Sequence, residues 1–337
     1  MRLTVDLKEN SYDIIVERGA LGRAGELLRL DRRVLILTDS GVPKQYAMAV
    51  AAQCKAPTVV TVESGEGSKS FGVYESVCKK LLWENFTRSD CVVAVGGGVC
   101  GDLAGFCAAT YMRGIDFYNI PTTVLSQVDS SIGGKVAINL GEVKNIIGAF
   151  HQPKRVLIDP DVLSTLPKRQ IANGLCEALK MSMTSDSELF SIFEDADAEE
   201  NIDEIIIRSL MIKKSVVEQD EKETGLRKIL NFGHTVGHGI ESVTGMSELY
   251  HGECVALGMI PMCSENVRKR LIPVLLKLGL PTKLDYDAER VIAAVMHDKK
   301  LSGNDISVTY VNEIGKFELT RLPVSEFTEN IRKAFSK

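Results

Sequence analysis

The sequence predicts an α/β fold in two parts: a parallel sheet covered by helices, then a mostly α-helical region. Three observations carry this expectation. Up to about residue 160, short apolar runs of β type alternate with helical stretches, as a parallel sheet with crossover helices requires. Each run ends in small, polar or glycine-rich residues, at the carboxyl end where such sheets take their ligand. Beyond residue 161 the strand signals give way to helical periodicity. Domains are therefore expected at 1–160 and 161–337.

In chain order, Val34–Thr38 reads as a buried strand ending at Asp39-Ser-Gly, and Thr58–Val62 as another ending at Ser64-Gly-Glu-Gly. Cys91–Val95 ends in three glycines, Phe117–Ile120 ends at Pro121-Thr-Thr, and Val156–Asp159 is the fifth run. A helix is expected over Gly72–Glu84. In the second part, helices are expected over Lys168–Met183, Glu200–Asp220, Gly233–Val243, Glu253–Arg270, Pro273–Leu278, Ala288–His297 and Val324–Phe335. Ile306–Val311 and Lys316–Leu319 read as a small hairpin.

Composition excludes several classes. A length of 337 residues allows two domains and a large core, and 45% hydrophobic with 25% charged residues is ordinary for a globular chain. A net charge of −5 with no basic run argues against a nucleic-acid surface. No apolar run reaches the roughly 18 residues of a membrane span, and Met1–Leu7 lacks the apolar core of a signal peptide. The eight scattered cysteines, without a Cys-x-x-Cys, read as reduced thiols of a cytoplasmic protein.

Gly96, Gly98 and Gly101 have the spacing G-x-G-x-x-G directly after a strand, and Asp102 onward can open a helix. Amides at that helix start suit a pyrophosphate. The motif follows the third run, not the first, and no acid closes a second strand about 20 residues on. The reading is dinucleotide binding with a different strand usage; the alternative is a tight turn under a packed helix. The stretch Ser64, Gly65, Glu66, Gly67, Ser68, Lys69 and the pair Thr122-Thr123 also sit at strand ends. They suit ribose and phosphate contacts, or ordinary turns and caps. Asp129 to Lys135, with Lys144 and Asn145, suits an anion on a small substrate, or a solvated loop.

His234, His238 and His251 are three of the five histidines. A spacing of four puts His234 and His238 on one helix face, and by itself pairs them on a divalent metal. Glu177, mid-helix in its own segment, offers a carboxylate; core histidines are the alternative. Arg227, Asn231, His234 and His238 fall at spacings of four, three and four, which makes one stripe if the helix is continuous.

Together these residues resemble the 3-dehydroquinate synthases. The match runs through Ser64–Lys69, Gly96–Asp102, Pro121–Thr123, Asp129–Lys135, Lys144-Asn145, Glu177 with Lys180, Asn231–His238, His251–Glu253 and Asp298–Lys300. The resemblance implies an N-terminal Rossmann-like, parallel-sheet NAD domain, a C-terminal mostly α-helical metal-binding domain, and a homodimer. It implies Glu177, His234 and His251 as ligands of zinc (or cobalt), and turns His238 to the substrate instead. NAD+ would meet Asp39, Ser64, Gly65, Glu66, Gly67, Ser68, Lys69, Gly98, Val99, Cys100, Gly101, Asp102, Thr122, Thr123, Asp129, Lys135, Lys144, Val162, Leu163, Ser164 and Thr165. The substrate, a phosphorylated seven-carbon 2-keto acid, would meet Lys135, Asn145, Lys180, Lys213, Glu223, Arg227, Asn231, His238 and a lysine of Lys299 and Lys300. Arg113 would reach across to the partner subunit's site.

The implied reaction converts 3-deoxy-D-arabino-heptulosonate 7-phosphate to 3-dehydroquinate and phosphate. It proceeds by transient oxidation at C5, β-elimination of phosphate, re-reduction and an intramolecular aldol closure. Rival readings are a sibling cyclase of deoxy-scyllo-inosose or valiolone type, and a metal- and NAD-dependent alcohol dehydrogenase. Departures from the family pattern are modest. Gly41 stands where asparagine is frequent, Met181-Ser182 replaces an aromatic–glycine pair, and fewer residues separate Glu177 from His234.

Overall fold

The computed structural model describes residues 1–141, 143–244, 248–298 and 305–335. The chain forms two compact units, Met1–Pro167 and Lys168–Lys337. The 3-10 turn Pro160–Thr165 belongs to the first unit, so the division falls after it and not at residue 160.

The first unit opens with β1 (Arg2–Val5) and β2 (Tyr12–Val16), an antiparallel pair not expected from the sequence. A short helix, α1 (Ala24–Leu27), leads to β3 (Arg33–Asp39), α2 (Lys44–Ala51), β4 (Ala56–Val62) and α3 (Phe71–Trp83). Then come β5 (Cys91–Gly96), α4 (Gly98–Thr110) and β6 (Asp116–Pro121). β7 (Lys135–Leu140) and β8 (Val143–Phe150) form a separate antiparallel hairpin, also unexpected, and β9 (Arg155–Ile158) returns to the main sheet. The seven-stranded order is β1-β2-β9-β6-β5-β3-β4, parallel throughout except at the β1/β2 edge.

Alternate residues of the central strands feed two cores. Val34, Ile36, Val93 and Val95 pack with Tyr46, Ala47 and Val50 of α2. Leu35, Leu37, Val92 and Ala94 pack with α3 and α4 through Val77, Leu81, Leu103 and Phe106. Covering on both faces is why these strands read as unbroken apolar runs. Each fully buried Val or Leu contributes roughly 1.5–3 kcal/mol. β3 leads through α2 to one side of the sheet, whereas β5 leads through α4 to the other. Their adjacent carboxyl ends form the switch-point crevice at which such sheets bind ligands. The glycine stretch is tighter than expected. Gly96 ends the strand, Gly97 is the helix N-cap, and α4 already starts at Gly98 instead of Asp102.

The second unit is mostly helical. α5 (Lys168–Ser185) is buried continuously from Ala172 to Thr184 and forms its centre. α6 (Ser187–Asp195) was not expected; Asp186 caps it by accepting from the Glu188 and Leu189 amides at 3.0 Å each. α7 (Ile202–Gln219), α8 (His234–Thr244) and α9 (His251–Met259) follow. The expected helix Glu253–Arg270 is in fact α9, a 3-10 turn at Ile260–Met262, and α10 (Glu265–Lys277). Pro261 lies in that turn, and Cys263 is extended and bridges Val311. Pro273 lies inside α10, so Pro273–Leu278 is no separate helix. α11 (Ala288–Asp298), the hairpin β10 (Asp305–Glu313) with β11 (Lys316–Pro323), and α12 (Val324–Phe335) complete the unit.

The stripe expected from Arg227 to His238 does not form. α7 ends at Gln219, residues Leu226–Asn231 make a 3-10 turn, and Gly233 at φ +77° breaks the chain before α8. A side chain at Gly233 would strike Met259 Cγ at 2.7 Å and the Val255 carbonyl at 2.9 Å. Glycine there lets α8 start against α9. None of the eight cysteines forms a disulfide, and six of them are buried. Among the described residues no helix is long and apolar enough to cross a membrane.

Candidate active site

Three helices of the second unit bring Glu177 (α5), His234 (α8) and His251 (α9) together, with one ligand atom of each within 4.8 Å of the others. Glu177 Oε1 lies 3.8 Å from His234 Nε2 and 3.5 Å from His251 Nε2. That oxygen is buried and has no hydrogen-bond partner. A buried orphan acceptor costs about 1–3 kcal/mol, and a cation between the three groups would satisfy it. Lys180, one helical turn along α5, donates Nζ to the other oxygen, Oε2. Burial opposes the charge on Glu177, yet Lys180, then His234 and His251, hold its pKa well below the ordinary carboxylate range.

The histidine orientations are fixed from behind. His251 Nδ1 donates to Glu241 Oε1 at 2.8 Å, and His234 Nδ1 to the Phe232 carbonyl at 3.2 Å. Both Nε2 atoms are left for Glu177 or a metal, the arrangement that tunes metal-ligating imidazoles. Burial opposes charge on His251, but the neighbouring Glu177 carboxylate and the bonded Glu241 raise its pKa to about 10. Burial, then Lys180, pushes His234 well below its usual value. His238 is exposed, its ring 5.4 Å from that of His234 and 6.0 Å from that of His251. Among the described residues, His234 and His238 do not share a candidate ligand set; His238 groups with Glu241 and His251 instead. The pairing that spacing alone suggested is not formed.

Of the cationic residues expected to meet the substrate, Arg227 is held by a turn. Lys213 on α7 and Arg227 are both buried. Asp220 binds that turn through four bonds. Its Oδ1 accepts from Thr224 N at 2.8 Å and Thr224 Oγ1 at 3.1 Å, and its Oδ2 from Gly225 N at 2.7 Å and Arg227 N at 2.9 Å. Glu223, at φ +57°, accepts from Asn231 Nδ2 at 3.2 Å. Lys299 and Lys300 lie outside the described residues.

In the first unit the switch-point crevice gathers most of the expected dinucleotide residues. Asp39 ends β3; its Oδ1 accepts from Gly41 N at 2.8 Å and its Oδ2 from Cys100 Sγ at 3.1 Å. No side chain caps α4 at Gly97, and no acid occupies its first turn. Its amides and the positive end of its dipole therefore suit a pyrophosphate. Ser130 Oγ, buried and unpartnered, lies 3.1 Å from where a side chain on Gly98 would begin. Ser64 and Gly65 lead into the 3-10 turn Glu66–Ser68, and buried Lys69 donates Nζ to Asp102 Oδ2 at 2.7 Å and to Asn145 Oδ1. Thr122 N donates to the Gly96 carbonyl at 3.0 Å, and Thr123 Oγ1 bonds Ser126 Oγ at 2.8 Å. Asp129 sits in the π-turn Ser126–Ser130. Val162, Leu163, Ser164 and Thr165 form the turn after β9, where Thr165 Oγ1 bonds Tyr46 Oη at 3.0 Å. Lys135, Lys144 and Asn145 are exposed on the β7–β8 hairpin, and Arg113 is exposed in the turn after α4.

Sequence reasoning missed Asn139, Asp220 and Glu241. Glu241 had a signal, since it sits three residues after His238. Asn139 had none, because its position depends on a bulge.

Two family models cover most of the chain: 3-dehydroquinate synthase N-terminal over residues 59–173 and 3-dehydroquinate synthase C-terminal over residues 174–301. A curated 3-dehydroquinate synthase of Streptococcus thermophilus is 41% identical over 99% of this chain and 100% of its own length. The chain belongs to the 3-dehydroquinate synthase family. Another 3-dehydroquinate synthase, of Enterococcus faecalis, is 42% identical over 97% of both chains. Among solved structures, a 2-epi-5-epi-valiolone synthase from Streptomyces hygroscopicus with NAD+ and Zn2+ bound superimposes with a TM-score of 0.87. It is 26% identical over 98% of both chains. The glycine turn lies within the 3-dehydroquinate synthase N-terminal segment, and Glu177, His234 and His251 within the C-terminal one.

Proposed function

We propose that this chain converts 3-deoxy-D-arabino-heptulosonate 7-phosphate to 3-dehydroquinate and phosphate, a lyase step of the shikimate pathway toward aromatic amino acids. One observation carries the choice of substrate: Lys180, Lys213 and Arg227 are buried in the same unit as the Glu177–His234–His251 cluster. An alcohol dehydrogenase needs the cluster but not Lys213 and Arg227 beside it in the same unit. A substrate bearing both carboxylate and phosphate suits them, because cationic donors make the stronger bonds to anions.

Glu177, His234 and His251 would hold zinc, or cobalt in its place; Asp39, the 64–69 turn and Gly98–Asp102 would hold NAD+. When bound, the metal supplies Lewis acidity to a substrate hydroxyl, and the dinucleotide a hydride acceptor restored within each turnover. The chain's own groups do the rest. Lys180 keeps Glu177 ionised. His238, exposed one turn from His234, can take and return a proton at a substrate hydroxyl. Lys213 and Arg227 offer charge-assisted bonds to a carboxylate, and Lys135 and Asn145 to a phosphate, which aligns the leaving group. Glu223 and Asn231 offer hydroxyl contacts.

This reading also makes the protein a cytoplasmic homodimer in which Arg113 reaches the partner's site. In support, Met112 (φ +51°) and Arg113 (φ +69°) are both left-handed without being glycine, a strain that functional turns retain. The test is one incubation of the pure protein with the heptulosonate phosphate, NAD+ and Zn2+. Phosphate should be released continuously while net NADH stays at zero. Stoichiometric NADH without phosphate would overturn the reading in favour of a dehydrogenase.

A further inference from the structure

Between β7 and β8 the register jumps. Ile138 pairs with Ile147 and Leu140 with Val143, so Asn139 alone faces the residues from 144 to 146. This bulge removes the ladder partners on both strands. Asn139 replaces them with three bonds of its own. Its backbone N–H donates to the Lys69 carbonyl at 2.7 Å. Its side-chain Nδ2 donates to Glu66 Oε1 at 2.9 Å, and its Oδ1 accepts from Asn145 N at 2.9 Å. A carboxylate on one side and an N–H on the other leave only one orientation for the amide. Asn145 itself stands at φ +57°, a conformation asparagine tolerates and this bond helps hold. Lys69 closes the ring by donating to Asn145 Oδ1 and to Asp102.

We propose that Asn139 is a positioning residue that couples dinucleotide binding to substrate binding. The inference rests on the functional reading above, in which Glu66, Lys69 and Asp102 meet NAD+ and Asn145 meets the substrate. That reading assigns Asn139 to neither ligand. Its amide spans the two sets directly. Glu66 cannot be drawn toward a ribose, nor Asn145 toward a phosphate, without straining the same planar group. Binding at one end therefore pre-sets the other, and the effect is reciprocal.

The experiment is steady-state kinetics on the full chain, wild type against N139A and N139D, varying NAD+ and the heptulosonate phosphate together. In wild type the KM for NAD+ should fall at least about fivefold between low and saturating substrate, the lower end of typical coupling. In N139A that factor should drop below about two while kcat stays within about threefold. N139D keeps the acceptor for Asn145 N but sets a carboxylate against Glu66. It should raise the KM for NAD+ more than that for the substrate, and it serves as the second variant if N139A fails to fold, as judged by its melting curve. A wild-type coupling factor near one overturns the proposal. So does an N139A enzyme that loses affinity for both ligands but keeps the wild-type factor, which is how a purely structural residue behaves. Absence of phosphate release by the wild type would instead overturn the functional reading.

Discussion

Glu241 accepts the Nδ1 proton of His251 and so decides which ring nitrogen faces Glu177. Replacing Glu241 with glutamine keeps the size but removes the charge that holds the imidazole basic. Metal affinity of the E241Q protein, measured by competition with a chelator, should fall about 10- to 100-fold. An unchanged affinity would mean that Glu241 is only a surface acid. Replacing Glu177 with glutamine tests the cluster from the other side. It leaves Lys180 buried beside a neutral amide, so metal affinity and the melting temperature should fall together, because breaking one side of a buried ion pair is strongly destabilising. At this scale the sequence was informative where residues were rare and regularly spaced. Three of five histidines lie within eighteen positions, and Glu177 sits three residues before Lys180. It was silent where a contact depends on how helices cross. Spacing paired His234 with His238, but α9 brings His251 to Glu177 while the ring of His238 stays exposed.

The turn between α7 and α8 shows how an element can depend on one carboxylate. Asp220 gathers the Thr224, Gly225 and Arg227 amides, and the Arg227 bond foremost holds its pKa below the ordinary carboxylate range. A lowered folded-state pKa stabilises the protein fully above the unfolded value near about 4, and that stability is lost as the pH falls through the folded value. The melting temperature of D220N should therefore trail wild type most at neutral pH, and the gap should narrow on acidification below about pH 4. A constant gap would assign the loss to hydrogen bonding alone. Substrate KM should rise in D220N, since Arg227 and Glu223 are placed by the same turn. The elements that were legible are those whose environment is uniform. β3 and β5, buried on both faces, could be nothing else. Less legible were elements set by a single break. Gly233 ended the supposed stripe, Cys263 divided the supposed long helix, and β8, mostly exposed and bulged, had no apolar alternation to announce it.

Over the whole molecule, each compact unit has its own buried core and its own candidate ligand. A bound ligand should therefore stabilise the unit that holds it. At about 100 times its Kd, a ligand adds about 2.7 kcal/mol, which for a unit of this size is a shift of roughly 5–10 °C. Hydrogen exchange should show zinc protecting α5, α8 and α9 and NAD+ protecting β3, β5 and α4; no added protection of those elements would count against the sites. The α/β alternation, and with it the crevice between β3 and β5, was legible because strand ends carry their own chemistry. The β1–β2 edge was not, since it lacks such an end. The cysteine thiols carry a consequence of a different kind. Burial pushes Cys91 and Cys263 up to about 12 and Cys54 to about 11, which keeps their sulfurs inert while the chain is folded. Once unfolded, all eight return to ordinary reactivity near neutral pH, where air oxidation can scramble them. Denaturation should thus be reversible in the presence of a reductant and progressively irreversible without one, which makes shelf life a matter of sulfur chemistry as much as of folding free energy.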